Sequence, residues 1–502
     1  MTAIDPEQRP DDVTITRPTP ESGDDRQGHP APSAGAPRWY APAGVIQGFR
    51  EPAAETRDQH VLRAIGIPYA HANRHRPPQL LGELPGGGVI VADEPGPTCP
   101  QRPSEAGKKI APHARPRHHD EHCQHIAVTV PDGTPANAKL PVMVWIHGGA
   151  NVSGGGDLER FNPSQMAAEN NVIVASITFR LGAHGFLGGG DDRAEGVPPA
   201  NLGLMDIQAG VEWIRANIAA FGGDPEQITM FGQSAGAELV LPLIVAAGAE
   251  KLRGGGRGAD GEPYRPPFRR AILQSLPFGF LGGRAPMYDA MLEALGPIDP
   301  GTSEEDFAAA EARAAKAGEP FKNGKAMPFG VRYGAAPLPE ESLFDAAVAA
   351  VAPDIDIMAG HTPREASLFF NGDPEVERLR KLPVVGGALF EAAVRHYTKT
   401  TYSESAELAK KWVAAGGSAL HYMLTWGAKS APYRSAHTCD LPLLLGDENA
   451  WRDSVLIEGQ MWTDVRRDRR AMQAVWTQFA KTGGVAKSVL ECADFLKVRT
   501  VG

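Results

Sequence analysis

Short apolar runs recur along the middle of the chain, and they are near-continuous rather than alternating with polar residues. The clearest runs are Leu140–Ile146, Val172–Phe179, Ile228–Phe231, Ala271–Gln274 and Ile355–Ala359. Runs of this kind, rich in Val and Ile, are typical of strands that are covered on both faces. They predict a buried sheet whose strands are mostly parallel.

Helical patterns separate these runs. Apolar residues within Leu202–Phe221 recur at spacings of three and four, which places them on one face of a helix: Leu204, Ile207, Val211, Ile214 and Ile218. The same spacing relates Met472, Val475, Trp476 and Phe479, and Gly483 is positioned to end that helix. Strands alternating with helices predict an α/β fold, with a central, mostly parallel sheet and helices on both faces.

Composition narrows the class of protein. The chain has 502 residues, of which 42% are hydrophobic and 22% charged, so it can bury a large core. A formal charge of −10 argues against binding to a nucleic-acid backbone. No apolar stretch reaches the ~18 residues of a membrane span, and the amino terminus does not resemble a secretory signal. Four cysteines in a chain of this length do not form a disulfide scaffold. Together, these features lead us to expect a cytoplasmic protein without nucleic-acid or membrane partners.

Two segments have the composition of irregular structure. Residues 1–37 contain seven prolines and seven acidic residues. Few of the other residues are large and apolar, so burying them could not offset the entropy lost on ordering the segment. We predict a disordered tail there and a single domain over 38–502. The glycine- and proline-rich stretch Gly254–Pro267 is predicted to be a surface loop.

The strongest chemical signal is a Gly-x-Ser-x-Gly sequence centred on Ser234. It follows an apolar strand and precedes a helical pattern. A turn of this kind exposes the serine hydroxyl at the top of a sheet, and its glycines allow tight backbone packing. The motif alone occurs by chance in glycine-rich chains, so the strand–turn–helix context carries the prediction.

A second motif lies directly after the strand Leu140–Ile146. His147, Gly148, Gly149 and Ala150 form a small-residue turn in which backbone N–H groups can approach a substrate oxygen. By itself the turn could be an ordinary tight connection. Upstream of Gly-x-Ser-x-Gly and at a strand end, it predicts an oxyanion hole.

These motifs belong to a longer, ordered series in which the chain resembles the type-B carboxylesterases, the carboxylesterase/cholinesterase family of α/β-hydrolases. The resemblance covers roughly 40–485 and rests on these segments: 66–70 (GIPYA), 99–101 (CPQ), 120–123 (DEHC), 147–150 (HGGA), 179–187 (FRLGAHGFL), 201–206 (NLGLMD) and 221–236 (FGGDP into GQSAG). It implies an α/β-hydrolase fold.

The resemblance also supplies the remaining catalytic residues by position. The family's acid is a glutamate in Gly-x-Thr-x-x-Glu, which here is Glu365; the rival acids are Asp354 and Asp356. Its base lies in a segment matched by residues 435–442, which makes His437 the base, with His421 as the rival. The order Ser…Glu…His is that of the α/β-hydrolases.

Supporting residues follow from the same resemblance. Ser275 resembles a family serine that supports the acid, although the glycine that usually follows is Leu276 here. Arg180 and Asp206 resemble a structural ion pair.

The chain departs from the family near the nucleophile. Gln233 replaces the usual glutamate, Ala150 replaces the third glycine of the oxyanion turn, and Asn151 replaces a large aromatic residue. We expect the methyl group of Ala150 to crowd the acyl carbon and Asn151 to make the adjacent pocket more polar. Both changes favour short acyl chains.

The resemblance implies a serine hydrolase that cleaves carboxylic esters of small molecules. Ser234 attacks the carbonyl, His437 transfers the proton, and Glu365 orients the imidazole. The oxyanion donors are three backbone N–H groups: Gly149, Ala150 and Ala235. No metal or organic cofactor is required.

Other functions and states stay open. The same intermediate serves amides, carbamates and thioesters. A non-catalytic, cholinesterase-like binding module is a further alternative, although such relatives lose triad residues. The oligomeric state and a bond between Cys99 and Cys123 are also open.

One rival site lies outside the triad. Histidines crowd between His113 and His125 beside Cys123, and mixed His/Cys clusters suit zinc or nickel. Their spacing matches no standard zinc motif, so we favour a solvated loop without metal.

Overall fold

A ten-stranded sheet organises the protein. The structure, a computed structural model, describes residues 36–53, 58–86, 88–102, 105–258, 261–299 and 301–502. The tail predicted over residues 1–37 therefore lies outside the described residues, except for its last two positions. Residues from Pro37 to Gly502 form one compact unit.

Strands are distributed along the whole described part of the chain. Their bounds are β1 Arg38–Ala41, β2 Gly44–Gln47, β3 Phe49–Pro52, β4 His60–Pro68, β5 Ala70–His71, β6 Gln79–Leu80, β7 Val89–Val91, β8 His125–Pro131, β9 Leu140–Ile146, β10 Ile173–Ile177, β11 Gly223–Gln233, β12 Arg270–Gln274, β13 Asp356–His361, β14 Ala419–Leu424 and β15 Leu496–Thr500.

Helices fill most of the connections between these strands. Their bounds are α1 Glu105–Ile110, α2 Ser164–Asn170, α3 Gly182–Gly185, α4 Leu202–Asn217, α5 Ala235–Arg253, α6 Ala285–Leu295, α7 Glu304–Gly318, α8 Phe344–Val351, α9 Ser367–Phe370, α10 Pro374–Arg380, α11 Gly386–Tyr402, α12 Ser405–Ala414, α13 Glu448–Trp451, α14 Trp462–Thr482 and α15 Lys487–Leu490. None of these described helices has the length and apolar character needed to cross a bilayer.

The main sheet is parallel at its centre and antiparallel at its edges. Its strand order is β3-β4-β8-β10-β9-β11-β12-β13-β14-β15. Every neighbouring pair from β10 to β14 in this order is parallel, whereas β3, β4, β8 and β15 pair antiparallel. This arrangement confirms the predicted mostly parallel sheet and brings the carboxyl ends of the central strands to one edge.

Side chains of alternate residues in the central strands pack into two separate hydrophobic cores, one on each face of the sheet. On β9, Val142, Val144 and Ile146 belong to one buried cluster, and Met143 and Trp145 belong to the other. Helices α4 and α5 pack in the first cluster and α14 packs in the second. Helices therefore cover both faces, which explains why the strands read as continuous apolar runs.

The sequence predicted most of these central elements closely. The run Leu140–Ile146 has the bounds of β9, and α4 begins at Leu202 as its periodicity indicated. Helix α14 ends at Thr482 because Gly483 adopts a φ of 76°, a left-handed conformation that glycine accepts without strain. The described residues of the loop predicted at Gly254–Pro267 connect α5 to β12.

The resemblance-based ion pair also lies where it was expected. Arg180 donates to Asp206 through two nitrogens, with Nε–Oδ2 and Nη2–Oδ1 distances of 2.8 and 2.7 Å. Both side chains are buried, and a bidentate pair of this geometry holds a loop firmly. It fixes the segment that begins α3, next to the oxyanion turn.

Candidate active site

Ser234 lies at the sharp turn between β11 and α5. Its φ and ψ are 58° and −124°, a conformation rare for a residue with a side chain. A Cβ at Gly232 would lie 2.6 Å from the backbone of Gly236, and one at Gly236 would lie 2.1 Å from the carbonyl oxygen of Ile146. The two glycines therefore permit the packing that forces the strained serine conformation and partly exposes Ser234.

The predicted acid and base are in direct contact. His437 Nδ1 lies 2.5 Å from Glu365 Oε2. Glu365 Oε1 accepts two further hydrogen bonds, from Ser275 Oγ at 2.7 Å and from the backbone N–H of Thr362 at 2.6 Å. Ser275 is therefore in direct hydrogen-bond contact with the predicted acid.

These contacts keep the buried acid ionised. Burial acts to raise the pKa of Glu365, but the charge and hydrogen bond of His437, with the donors from Thr362 and Ser275, outweigh it and hold the pKa below its ordinary value. An ionised Glu365 accepts the Nδ1–H of His437. That hydrogen bond makes Nε2 the unprotonated nitrogen of the ring, which is the atom that can accept a proton.

His437 Nε2 faces the nucleophile turn. It lies 3.4 Å from Nε2 of Gln233, the residue immediately before Ser234. No hydrogen bond joins Ser234 Oγ to His437 within the part of the chain that the structure describes. Such contacts are often long without substrate and tighten only when substrate binds.

The turn after β9 presents unused backbone donors to the same place. Gly149 has a φ of 125°, and a Cβ there would meet the Ser153 carbonyl oxygen at 1.9 Å. Among the described residues, none accepts from the backbone N–H of Gly149, Ala150 or Ala235. Ala235 opens α5, where the helix dipole adds positive potential. The three donors can stabilise an oxyanion.

Asn151 does not act as the polar pocket wall that the sequence suggested. The residue is only 2% exposed, and its amide donates to Glu238 Oε2 at 2.8 Å and to the Phe329 carbonyl oxygen at 3.2 Å. The prediction that Asn151 makes the adjacent pocket more polar is therefore wrong, because its polar atoms are used in the interior.

The rival catalytic residues lie elsewhere. Asp356 begins β13, at the end of the sheet opposite the site, and Asp354 pairs with Lys251 at 2.5 Å. His421 lies inside β14, with Nε2 3.2 Å from Ser405 Oγ. Geometry therefore favours Glu365 and His437.

Three residues near the base were not predicted. Rings of Phe369 and Tyr402 lie 5.3 and 5.2 Å from that of His437. Phe369 is 42% exposed and can contact substrate. Asp440 is buried, and Gln274 donates to it at 2.5 Å. Phe369 and Tyr402 belong to no recognised sequence motif, and Asp440 was considered only as part of the segment 435–442 that contains His437.

Three of the histidines between His113 and His125 have separate partners. His113 contacts Asp453 at 2.8 Å, and His119 contacts Thr98 at 2.9 Å. The ring of His122 stacks on that of His71. In the described ranges, no group of three or more possible ligands is arranged to hold a metal ion.

The two cysteines from the resemblance lie buried as free thiols. The backbone N–H of Leu181 donates to Cys99 Sγ at 3.2 Å. This contact links Cys99 to the segment that carries Arg180.

A mostly parallel sheet with a strained, partly exposed serine and a buried Glu–His pair at its carboxyl edge defines the class of serine hydrolases with the α/β-hydrolase fold. Comparison with known proteins makes the assignment specific. A sequence model described as "Carboxylesterase family" matches residues 36–275. The chain belongs to the carboxylesterase family and is a carboxylic ester hydrolase.

Relatives match over most of their length. A "Probable N-octanoylanthranilate hydrolase" of Rhodococcus erythropolis is 33% identical over 89% of this chain and 93% of its own. The para-nitrobenzyl esterase of Bacillus subtilis is 30% identical, with 85% and 88% covered. A solved thermophilic para-nitrobenzyl esterase has a TM-score of 0.72 and 25% identity, with 92% of this chain and 97% of that chain covered.

Proposed function

We propose that Ser234, His437 and Glu365 form the catalytic triad of this ester hydrolase. The observation that carries the proposal is the position of His437 at the carboxyl edge of the sheet, between Glu365 and the turn that contains Ser234. Glu365 holds Nδ1 of His437 at 2.5 Å, and Nε2 of the same ring faces the turn that presents Ser234. A serine hydroxyl is a poor nucleophile unless such a base takes its proton.

The reaction proceeds through an acyl-enzyme. Ser234 Oγ attacks the ester carbonyl while its proton passes to His437 Nε2, and Glu365 stabilises the imidazolium. The backbone N–H groups of Gly149, Ala150 and Ala235 stabilise the oxyanion of the tetrahedral intermediate. His437 then donates the proton to the leaving alcohol. Water, deprotonated by His437, attacks the acyl carbon and releases the acid and the free serine.

The test is the Ser234→Ala variant with p-nitrophenyl acetate as substrate. Loss of the nucleophile should lower kcat by roughly 10⁴-fold or more, as in other serine hydrolases with a triad. Ser488→Ala is the matched control, because Ser488 is exposed in α15, far along the chain from the site. Near wild-type turnover by folded Ser234→Ala would reject the triad, whereas an equal loss in Ser488→Ala would show an unspecific effect.

An amide is the second candidate for the scissile bond. One relative bears the name of a hydrolase of N-octanoylanthranilate, an N-acyl compound. The same triad and oxyanion donors serve both bonds. The ratio of kcat/KM for p-nitrophenyl acetate to that for p-nitroacetanilide separates them; a larger value for the anilide would make amide hydrolysis the principal activity.

A further inference from the structure

Two consecutive residues of the oxyanion turn are held in the left-handed region. Ala150 and Asn151 have φ values of 55° and 60°. A left-handed conformation is unfavourable for a residue with a side chain, and less so for asparagine. The turn therefore needs contacts that hold it in place, and the N–H of Ala150 is one of the proposed oxyanion donors.

The side chain of Asn151 provides such contacts. Its amide donates to Glu238 Oε2 at 2.8 Å and to the Phe329 carbonyl oxygen at 3.2 Å. From the other side, the backbone N–H of Gly182 donates to the Asn151 carbonyl oxygen at 2.7 Å. Asn151 is thus fixed through both its backbone and its side chain.

Glu238 belongs to the same rigid element as the nucleophile. It lies in the first turn of α5, and its backbone N–H donates to the Ser234 carbonyl oxygen at 2.9 Å. The same helix begins with Ala235, another proposed oxyanion donor. The contact between Asn151 and Glu238 therefore joins the turn that carries Ala150 to the helix that carries Ala235.

Arg284 completes this buried group. Its Nη2 lies 3.4 Å from Glu238 Oε1, and its Nη1 donates to the Met327 carbonyl oxygen at 2.6 Å. Burial raises the pKa of Glu238, and Arg284 and Asn151 act in the opposite direction. A buried carboxylate that lost the Asn151 amide would be poorly compensated, so the contact is energetically important.

We propose that Asn151 is a positioning residue of the oxyanion hole, which sets the separation of the Ala150 and Ala235 N–H groups through its hydrogen bond to Glu238. The inference rests on the proposed function, since it takes these N–H groups to be the oxyanion donors. Its consequence is specific: Asn151 should affect stabilisation of the transition state more than binding of the ester.

Exchanging the donor and the acceptor provides a sharp test. Asn151→Asp keeps the shape and the tolerance of positive φ but removes the donor, so two carboxylates face each other. Glu238→Gln keeps an acceptor for Asn151. The double variant restores one hydrogen bond in the reverse direction, from the amide at 238 to the carboxylate at 151. Asn171→Asp is the matched control, because Asn171 also has a positive φ, 52°, and lies at the end of α2.

We expect Asn151→Asp to lower kcat by about 10- to 100-fold, with KM changed less than about threefold, as for a displaced oxyanion donor. Affinity for a trifluoromethyl ketone, which forms a tetrahedral adduct with the serine, should fall by the same factor as kcat/KM. The double variant should recover about tenfold or more relative to Asn151→Asp, and Asn171→Asp should match the wild type.

Unchanged kcat in Asn151→Asp, a loss confined to KM, or a double variant no better than Asn151→Asp would overturn the inference. If Asn151→Asp fails to fold, Asn151→Gly carries the same expectation for kcat, since glycine keeps the φ and lacks the amide. Failure of the proposed function is distinguishable. In that case the wild type would not bind the ketone tightly, or Ser234→Ala would retain activity.

Discussion

Replacing Asp440 with asparagine should make the protein increasingly more stable, relative to the wild type, as the pH rises from acidic to neutral values. Burial raises the pKa of Asp440 from 3.8 to about 6; the hydrogen bond from Gln274 opposes the shift and the charge of Glu365 adds to it. Because the folded protein binds this proton more tightly than the unfolded chain, the stabilisation is present below pH ~4 and is lost as pH rises through about 6.

The magnitude follows from the shift. A difference of about two pKa units, at ~1.36 kcal/mol each, corresponds to about 3 kcal/mol. The asparagine side chain cannot ionise, and its carbonyl oxygen can still accept from Gln274. The free energy of unfolding of Asp440→Asn minus that of the wild type should therefore rise by about 2.4 kcal/mol between pH ~4 and pH ~7, because the rest of the effect lies below pH ~4.

Urea unfolding at several pH values measures this difference, with tryptophan fluorescence and far-ultraviolet circular dichroism required to give the same transition. Asp192→Asn, at an exposed position, is the matched control. Parallel pH profiles for wild type and Asp440→Asn would refute the reasoning. So would a difference that falls with increasing pH, because it would reverse the sign of the shift.

Two further predictions concern one neighbour of the acid and one neighbour of the base. Ser275→Ala removes one of the donors to Glu365 Oε1 and should lower kcat by about tenfold at constant KM, which corresponds to the loss of one charge-assisted hydrogen bond. Ser275→Gly should show the same loss. Wild-type kcat in Ser275→Gly would instead indicate that the alanine variant suffers from strain at the positive φ of this residue. Phe369→Ala should raise KM for p-nitrophenyl esters about fivefold with little change in kcat, because a half-exposed ring beside His437 gives apolar contact to substrate rather than chemistry. A fall in kcat alone would show that Phe369 orients the imidazole.

Local sequence signals predicted the elements that carry the site. Continuous apolar runs marked β9 and β11 because both faces of these strands are covered, and the small residues around Ser234 marked a turn that only they can form. The edges of the sheet were harder to predict. Strands such as β3 and β15 are short and partly exposed, so they lack a continuous apolar run.

The electrostatic surroundings could not be predicted in the same way. Asn151 meets Glu238 and Phe329 across 87 and 178 residues of sequence, and neither separation leaves a periodic pattern. The family resemblance implied that Asn151 stands where an aromatic residue is usual, but it could not indicate that the side chain turns inward. The contact between Gln233 and His437 Nε2 likewise exists only once β11 and the loop after β14 meet at one edge of the sheet.

Covalent labelling tests the central claim most directly. Diethyl p-nitrophenyl phosphate transfers its phosphoryl group to an activated serine, and peptide mass spectrometry identifies the modified residue. The account predicts one diethylphosphoryl group per chain, on Ser234, with esterase activity lost in proportion to labelling and no label in Ser234→Ala. Complete inactivation with the label on another residue, or esterase activity that persists when Ser234 is fully labelled, would contradict it.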